Sequence, residues 1–275
     1  MSDSLVASAD HDRRAAGRIP VHYRAITSHL AIAPPVSVVI PAMNEAENLP
    51  YVFESLPEWI HEVVLVDGNS TDGTVAVARA LRPDVKVVRQ AGKGKGDALI
   101  SGFAACTGDI IVMVDADGSA DGQEIVSYVS ALVGGADFAK GSRFANGGGT
   151  DDMTLVRRLG NRALCAVVNA KFGARYTDLC YGYNAFWRHC LDEIDLDCTG
   201  FEIETLINIR VVKAGLRVQE VPSHEYLRIH GVSNLNALRD GLRVLKVILR
   251  EKGARRAARR RTASFSVSAP RGAVS

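Results

Sequence analysis

The chain has 275 residues, of which 47% are hydrophobic and 23% are charged, and its formal net charge is +2. This balance is typical of a soluble globular protein that can bury a sizeable core. The small net charge argues against a nucleic-acid partner. No apolar run approaches the roughly 20 residues that a membrane-spanning helix needs.

The predicted elements alternate between strands and helices from residue 36 onwards, after a flexible arm predicted at residues 1–33. Short β-branched apolar runs predict strands at residues 36–40, 63–66, 85–88 and 110–114. Helices are predicted between them at 45–56, at about 75–81 and from about residue 97. This alternation is typical of βαβ units. We therefore expect a Rossmann-like α/β fold with a mostly parallel sheet flanked by helices.

The second half of the chain is less regular. Helices are predicted at 155–172 and 201–214, and strands at 181–187 and 218–221. A last amphipathic helix carries leucines at helical spacing, namely Leu235, Leu238, Leu242, Leu245 and Leu249. Basic residues lie between these leucines, and seven of the twelve residues from 250 to 261 are Lys or Arg. Such a segment can lie on an anionic membrane surface without crossing it, and the alternative is an exposed disordered tail.

The cysteines and the N-terminus bear on the compartment. Five cysteines occur without CxxC spacing, and the polar first 17 residues contain no apolar signal segment. These features predict a reduced, cytosolic protein.

Polar residues follow three of the predicted strands. The clusters are Asn44-Glu45, Asp67-Gly68-Asn69 and Asp115-Ala116-Asp117. In open α/β sheets ligands bind at the carboxyl ends of the strands, so we expect the three clusters to converge on one crevice.

Asp115 and Asp117 point to a metal ion. Two carboxylates one residue apart, just after a buried strand, are costly unless something positive binds them. Mg²⁺ or Mn²⁺ suits such oxygen ligands, with diphosphate oxygens completing the octahedron. The alternative is a pair of solvated loop aspartates.

Two further features allow more than one interpretation. The Gly-Lys-Gly-Lys-Gly segment at residues 92–96 could meet a diphosphate with its backbone donors and two ammonium groups, or it could be a flexible surface turn. Asp67 could accept hydrogen bonds from a nucleobase edge, or it could cap a turn.

Several motifs together resemble family 2 glycosyltransferases with the GT-A fold. Residues 38–49 (VVIPAMNEAENL), residues 66–74 (VDGNSTDGT) and the Asp115-Ala116-Asp117 motif resemble the family as a whole. Four later segments resemble its dolichol-phosphate mannose synthase branch, namely Gly141-Ser142-Arg143-Phe144, Gly147-Gly148-Gly149, Arg157-Arg158 and residues 228–235 (RIHGVSNL). The similarity covers residues 36–250.

The resemblance implies a role for each matching residue. The nucleoside of a nucleotide-sugar donor, of the GDP-mannose or UDP-glucose type, would be held by Pro41, Met43, Glu45, Val66, Asp67 and Gly68. Asp115 and Ala116 would contact the donor, and Asp117 would ligate the metal, with Asp115 and Ser119 as further ligands. Arg143 and Arg228 would grip phosphates.

Three positions depart from the family pattern. Gly68 stands where a second Asp is common. Ser119, a weaker ligand, stands where the synthases often have Gln, and Asn234 stands where they often have Lys. These departures concern the identity of the donor and the affinity for metal.

The acceptor decides whether a general base is needed. A polyprenyl phosphate is already anionic and requires none, whereas a hydroxyl must lose its proton to a carboxylate, for which Asp178, Glu202 and Glu204 are candidates. Arg157, Arg158 and Arg162 could clamp an acceptor phosphate or form a solvated basic face. His230 could contact the metal or a phosphate but is more often structural, and Phe186 and Trp187 are expected in the core.

The sequence thus predicts a glycosyltransferase domain at residues 34–250 and a basic tail at 251–275. The expected enzyme is inverting and directed to polyprenyl phosphate, and it works peripherally at the cytoplasmic face of a membrane, where a membrane-protein partner is possible. The alternatives are a transferase with a soluble hydroxyl acceptor, a nucleotidyltransferase, and a non-catalytic sugar-nucleotide-binding scaffold.

Overall fold

The structure, a computed structural model, describes residues 34–232 and 237–252. The predicted N-terminal arm, Asn234, Leu235 and the tail beyond residue 252 lie outside these residues. Glu251, which the predicted tail included, belongs to the folded domain. It is 6% exposed, and its carboxylate lies 2.9 Å from Arg210 Nη2 and 2.5 Å from Lys213 Nζ.

The described residues form an α/β fold. The strands are β1 (Val36–Ala42), β2 (Glu62–Asp67), β3 (Lys86–Arg89), β4 (Ile110–Met113), β5 (Phe138–Ser142), β6 (Gly149–Thr150), β7 (Asn184–Trp187), β8 (Val218–Pro222) and β9 (His224–Glu225). The helices are α1 (Leu49–Ser55), α2 (Thr74–Leu81), α3 (Lys95–Ala105), α4 (Ile125–Val133), α5 (Leu155–Phe172), α6 (Ile203–Lys213) and α7 (Ala237–Arg250).

Seven strands form the main sheet in the order β3-β2-β1-β4-β7-β5-β8. All run parallel except β7, which is antiparallel to both of its neighbours, β4 and β5. Strands β6 and β9 form a separate two-stranded parallel sheet. The predicted Rossmann-like, mostly parallel sheet is confirmed.

Helices cover both faces of the sheet, because its central strands are apolar on both sides. Val38 and Ile40 of β1 pack on one face with residues of α1 and α4, and Val39 packs on the other face with residues of α3 and α6. A sheet buried in this way has near-continuous apolar strands, as the sequence predicted. Phe186 lies in the core at 1% exposure, and the partly buried Trp187 donates its indole N–H to Ala136 O.

A third apolar cluster joins α5, α6 and α7. Its buried members include Val168 from α5, Ile209 from α6, and Val244 and Ile248 from α7. The leucine stripe predicted for α7 does not form this contact, since Leu242 is 66% exposed and Leu249 is 65% exposed. The buried side of α7 consists instead of its β-branched residues.

None of the described helices is both long and apolar enough to cross a membrane. All five cysteines lie in the described part of the chain, and all are free thiols. Burial raises the pKa of four of them, Cys106, Cys165, Cys180 and Cys190, to about 12.

Candidate active site

The carboxyl ends of β1, β2 and β4 lie side by side, because β1 pairs in parallel with both of the other strands. The chain leaves these three strands through the polar clusters that the sequence indicated. The cluster after β1 touches the one after β2, where Gly68 N donates to Ala42 O over 2.8 Å. The predicted convergence at one edge of the sheet is confirmed.

The loops after β1 and β2 are locked together by hydrogen bonds. Asn44, which has a positive φ of 59°, accepts a bond from Thr71 N at 2.8 Å. Glu45 N donates to the Thr74 hydroxyl, and Ala46 N donates to an Asp72 carboxylate oxygen, both over 3.0 Å. A turn at residues 46–48, in which Asn48 N and Leu49 N both donate to Glu45 O, precedes α1, so α1 begins at Leu49 rather than at residue 45.

Arg228 connects the first of these loops to the predicted metal motif. Its Nη1 and Nη2 donate to the two oxygens of Glu45 over 3.0 and 2.9 Å, and Nη2 lies 3.6 Å from Asp117 Oδ2. Both carboxylates raise the pKa of the guanidinium, against the opposing effect of burial. The Glu45 side chain thus binds Arg228 and Asn48, and its predicted contact with a nucleoside stays a prediction.

The segment that carries Arg228 runs along the metal motif. Tyr226 N donates to Ser119 O, and Ile229 N donates to Asp117 O. Gly118 has a φ of +74°, and a Cβ there would lie 2.5 Å from Ile229 Cδ1, so glycine is required at this position. The Nε atom of Arg228 is buried and has no hydrogen-bond partner among the described residues.

Asp115 is held by a buried lysine. Lys95 Nζ lies 2.6 Å from Asp115 Oδ1 and 2.6 Å from Glu204 Oε1, and the Lys95 side chain is only 12% exposed. The two carboxylates raise the pKa of Lys95, although burial opposes them, so the lysine stays charged. A Cβ on Gly182 would come within 3 Å of all three charged groups, which explains why glycine stands there.

The loop at residues 92–96 is hydrogen-bonded to another segment of the same chain and does not form an open anion-binding site. Gly96 N and Asp97 N both donate to Thr199 O, at 2.9 and 3.4 Å. Of its two lysines, Lys95 is in the ion pairs just described and Lys93 is exposed. Gly96 N and Asp97 N are thus not free to bind a diphosphate, which favours the turn among the two alternatives that the sequence left open.

Arg143 also lies among carboxylates. Its side chain is 2% exposed, with Nε 2.6 Å from Asp178 Oδ2 and Nη1 2.9 Å from Glu225 Oε2. Its Nη2 donates to Asp178 Oδ1 over 2.9 Å. Each of its three nitrogens donates to a carboxylate inside the protein, so Arg143 joins the end of β5 to β9 and to the segment before β7, and its predicted contact with a phosphate stays a prediction.

Two other residues that were predicted to contact the nucleotide-sugar donor have side chains that lie in the core. Val66 is 0% exposed and packs against α3, and Ala116 is 4% exposed and packs on the opposite face of the sheet. Their side chains do not face the crevice. Any contact of theirs with a donor is therefore made by the backbone.

The remaining predicted donor contacts lie at the edge of the sheet. Met43 is 51% exposed, and Pro41 and Gly68 are partly exposed. Asp67 is 8% exposed and caps a turn by accepting a hydrogen bond from Ser70 N, which is the alternative that the sequence left open. These residues stay candidates for contact with a nucleoside.

The three candidate bases have different surroundings. Asp178 is fully buried, and its ion pair with Arg143 lowers its pKa against the effect of burial, so it is not available as a base. Glu204 is paired with Lys95. Glu202 accepts a bond from Gly200 N with one oxygen, while its other oxygen is buried without a partner in the described part.

The other predicted phosphate contacts are peripheral. Arg157 pairs with Asp152 at 2.9 Å, whereas Arg158 and Arg162 are exposed. The ring of His230 lies 5.7 Å from that of Tyr51, and its backbone bonds with the side chain of Asn48. These contacts give His230 a structural role.

The metal motif fits an ion that binds few protein ligands. Asp117 accepts a bond from Ser119 N with one oxygen and faces Arg228 with the other, and the Asp115 side chain is 36% exposed. No group of three His, Cys, Asp or Glu residues that could hold a metal occurs in residues 34–232 and 237–252. Mg²⁺ typically uses one or two carboxylates together with substrate phosphates and waters, which this arrangement can accommodate.

Comparison with known proteins identifies the family. The model for "Glycosyl transferase family 2" matches residues 37–194, more than half of the chain. The chain belongs to glycosyl transferase family 2. It is therefore a glycosyltransferase, and the family resemblance found in its motifs is confirmed.

Curated relatives of this glycosyltransferase include three with related names. Glycosyltransferase AglJ of Haloferax volcanii is 33% identical, with 75% of this chain and 68% of AglJ aligned. The dolichol-phosphate mannosyltransferase of Pyrococcus furiosus is 32% identical over 73% of this chain and 59% of its own length. The polyprenol monophosphomannose synthase of Mycolicibacterium smegmatis is 34% identical over 72% and 80%. The chain thus spans less than two thirds of the Pyrococcus protein.

Solved structures share the fold. Glucosyl-3-phosphoglycerate synthase from Mycobacterium tuberculosis, crystallised with Mn²⁺, uridine diphosphate and phosphoglyceric acid, superposes with a TM-score of 0.64. It is 23% identical, and the match covers 79% of this chain and 78% of that one. The same synthase has been crystallised with Mg²⁺ and uridine diphosphate and superposes with a TM-score of 0.63, at 23% identity over 79% of each chain. The GT-A fold is thereby confirmed.

Proposed function

We propose that this glycosyltransferase is inverting and moves a hexose from a nucleotide-sugar donor to a polyprenyl phosphate, with Mg²⁺ or Mn²⁺. The observation that carries the proposal is the position of Arg228 beside Asp117, at the edge of the sheet where ligands of α/β proteins bind. The names of the relatives from Pyrococcus and Mycolicibacterium support a lipid phosphate as acceptor.

The chemistry follows from charge. Breaking the anomeric C–O bond develops negative charge on the departing nucleoside diphosphate, and a cation fixed in advance at that position lowers the barrier. Glu45 holds the Arg228 guanidinium by two hydrogen bonds, so little reorganisation is needed during transfer.

Asp117, with Asp115 beside it, would hold the metal, and Ser119 remains a weaker candidate ligand. When bound, the metal would offset charge on the diphosphate. Lys95 fixes the orientation of Asp115 from beneath and leaves Asp115 Oδ2 for the donor or metal. Donors of the GDP-mannose and UDP-glucose types are both compatible with these roles. Pro41, Met43, Asp67 and Gly68 would contact the nucleoside.

The state of the candidate bases favours an acceptor that is already anionic. Asp178 and Glu204 are both engaged in ion pairs with buried cations, and the unpaired oxygen of the third candidate, Glu202, is buried. A hydroxyl acceptor needs a free carboxylate to take its proton, whereas a phosphate oxygen does not. This is the structural argument for a polyprenyl phosphate over a soluble hydroxyl acceptor.

A lipid acceptor requires the enzyme to work at a membrane surface. We propose peripheral association at the cytoplasmic face, through the exposed leucines and basic residues of α7 and the basic residues from 250 to 261. A membrane-protein partner at that surface would be compatible with this arrangement.

The test is a transfer assay with purified full-length protein, labelled GDP-mannose and UDP-glucose, and a matched pair of acceptors. We expect label on a polyprenyl phosphate and none on the same polyprenol without phosphate. EDTA should abolish transfer, and Asp117→Ala should remove nearly all of it. Transfer to polyprenol or to a soluble sugar alcohol instead would overturn the acceptor assignment, and full turnover of metal-free protein in EDTA would overturn the metal assignment.

A further inference from the structure

Helix α5 carries an apolar face that the described residues leave exposed. Its larger side chains there are Leu155, Val156, Leu159 and Val167, which are 71%, 74%, 57% and 40% exposed. The alanines at 163, 166 and 170 are exposed as well. At 3.6 residues per turn these seven residues fall within about 120° of the helix circumference. The opposite side is buried against α6 and α7.

Positive charge borders this face. Arg158 and Arg162 are exposed along one flank, and Arg158 lies over the ring of Phe144 at 5.4 Å. Lys171 lies on the other flank, with its Nζ 2.7 Å from Ile248 O. The 18-residue helix contains no Asp or Glu. An apolar stripe between basic flanks is complementary to an anionic lipid surface, into which such a helix buries its apolar side while it lies flat.

The face begins beside the candidate active site. Helix α5 follows β6, and β6 pairs with β9, from which the chain continues directly to Arg228. Between β9 and Arg228 stand Tyr226 and Leu227, which are 42% and 60% exposed. The exposed apolar residues therefore lie on both chain segments that leave the small β6–β9 sheet.

We infer that α5 lies on the surface of an anionic lipid bilayer, with Leu155, Val156 and Leu159 in the boundary between headgroups and acyl chains. This extends the peripheral association proposed above and adds α5 to α7 and the tail as a membrane contact. A second copy of the chain is a poorer occupant, because pairing two α5 faces would bring their arginine flanks together. A bilayer contact also puts the lipid surface next to Arg228.

The test compares two sets of substitutions in the full-length chain. The first is Leu155→Gln, Val156→Ser and Leu159→Gln together. The control is Leu81→Gln with Val133→Ser, which changes residues that are 46% and 56% exposed on α2 and α4. Thermal unfolding checks that both proteins fold, and the single variant Val156→Ser provides a milder form of the first.

Co-sedimentation with phosphatidylcholine–phosphatidylglycerol vesicles is measured at low and high salt. Salt at 1 M shortens the Debye length to about 3 Å and suppresses the attraction of the arginines, while apolar insertion persists. We expect the triple variant to lose at least about tenfold in partitioning at high salt, because three apolar side chains no longer insert. The control should bind as the wild type does, and Val156→Ser should show a smaller loss.

Two outcomes would overturn the inference. One is equal partitioning of the triple variant and the control. The other is a dimer in sedimentation velocity without lipid that the triple variant alone abolishes, since a second copy would then cover the face. Transfer to a detergent-dispersed polyprenyl phosphate, measured on the same proteins, keeps the two questions apart. If the wild type transferred no sugar to this acceptor, that would count against the proposed function and not against the vesicle result.

Discussion

Arg228 contacts two carboxylates whose positions in the chain are far apart. Glu45 follows the first strand, Asp117 follows the fourth, and the guanidinium lies between them. Since Glu45 orients the cation and Asp117 belongs to the metal motif, removing the arginine leaves both acids without their positive partner. The effect should therefore fall mainly on the reaction.

Replacing Arg228 with Ala should cost about 2–5 kcal/mol of transition-state stabilisation, as when one partner of a buried charge pair is removed. Arg228→Lys should recover part of this, because it keeps the charge but cannot form both bonds to Glu45. The measurement is kcat/KM for the donor at saturating acceptor. Wild-type kinetics in Arg228→Ala would show that the residue does not act on the reaction.

Arg143 provides the contrast, because its partners are structural. Arg143→Ala leaves Asp178 buried and unpaired, so the free energy of unfolding should fall by about 3–5 kcal/mol. Denaturant unfolding measures this loss. The KM for the donor should stay unchanged in the folded fraction. A raised donor KM with unchanged stability would support the phosphate-binding role predicted for this residue.

At the level of elements, the loops after β1 and β2 act as one unit. Asp72 accepts hydrogen bonds from Ala46 N with one oxygen and from Thr74 N with the other, both at 3.0 Å. Burial acts to raise the pKa of Asp72, but its hydrogen bonds have the larger effect and lower it. Asp72 therefore binds the first residue of α2, Thr74, and also holds the loop that carries Glu45.

Asp72→Ala should lower the free energy of unfolding by about 1 kcal/mol, the typical value of a lost cap at an exposed site. Because the loop with Glu45 loses a tether, the KM for the donor should rise as well. Asp72→Asn, which can still accept a bond, serves as the matched control. A stability loss in Asp72→Ala without any change in KM would mean that the two loops are not coupled.

The stability of the contact between the start of α4 and the residues that follow β8 should depend on pH. Glu124 accepts bonds from the Ser223 hydroxyl and from His224 N, and burial raises its pKa from 4.5 to about 7. The folded state holds the proton of the Glu124 carboxyl group more tightly than the unfolded state does. The contribution of this group to the free energy of unfolding is therefore complete below about pH 4.5. It is lost as the pH rises through about 7.

The wild type should consequently lose up to about 3 kcal/mol more unfolding free energy between pH 5 and pH 8 than Glu124→Gln does. The glutamine variant keeps the size of the side chain but does not titrate. Denaturant titrations at several pH values give the comparison. Parallel curves for the two proteins would contradict the raised pKa.

The elements that the sequence predicted are those with a clear local pattern. The first strands are continuous apolar runs, and α5 has the predicted bounds, residues 155–172. Strand β5 was missed because it contains Lys140 and Gly141, which are buried by the surrounding chain and not by any local pattern. Helix α4 was missed because its β-branched residues do not distinguish a helix from a strand.

The location of the site residues could be predicted from the sequence, but the ion pairs that they form could not. The sequence placed Asp115 and Asp117 at the edge of the sheet because they follow a predicted strand, whereas Arg228 was named only through the family resemblance. It could not show that Lys95 pairs with Asp115, or that Arg143 turns inward to Asp178. Such ion pairs join residues that only the completed fold brings together.

On the scale of the whole molecule, we expect the charge of the basic tail to affect membrane binding and not catalysis. Removing residues 253–275 deletes six arginines and spares Glu251, which binds Arg210 and Lys213 in the folded domain. Donor binding should stay intact, because the predicted donor contacts lie at the other end of the chain.

Binding to anionic vesicles should fall in this truncated protein, since each basic residue near such a surface contributes about 1 kcal/mol. For the full-length protein the attraction should also weaken between 0.1 M and 1 M salt, as the Debye length shrinks from about 10 to about 3 Å. Co-sedimentation with neutral and anionic vesicles measures both effects. Equal pelleting of the two proteins would favour a soluble acceptor.

The bond between Arg228 and Glu45 spans 183 residues of sequence. At about 5–20 residues per second, a ribosome adds Arg228 about 10–40 s after Glu45. Once Asp117 has been added, the nascent chain holds β1, β2 and β4 and the acids of the metal motif, but not the cation that lies beside them. We therefore expect the candidate site to be among the last parts of the domain to assemble, and an unfinished chain on the ribosome to be far less active than the complete one.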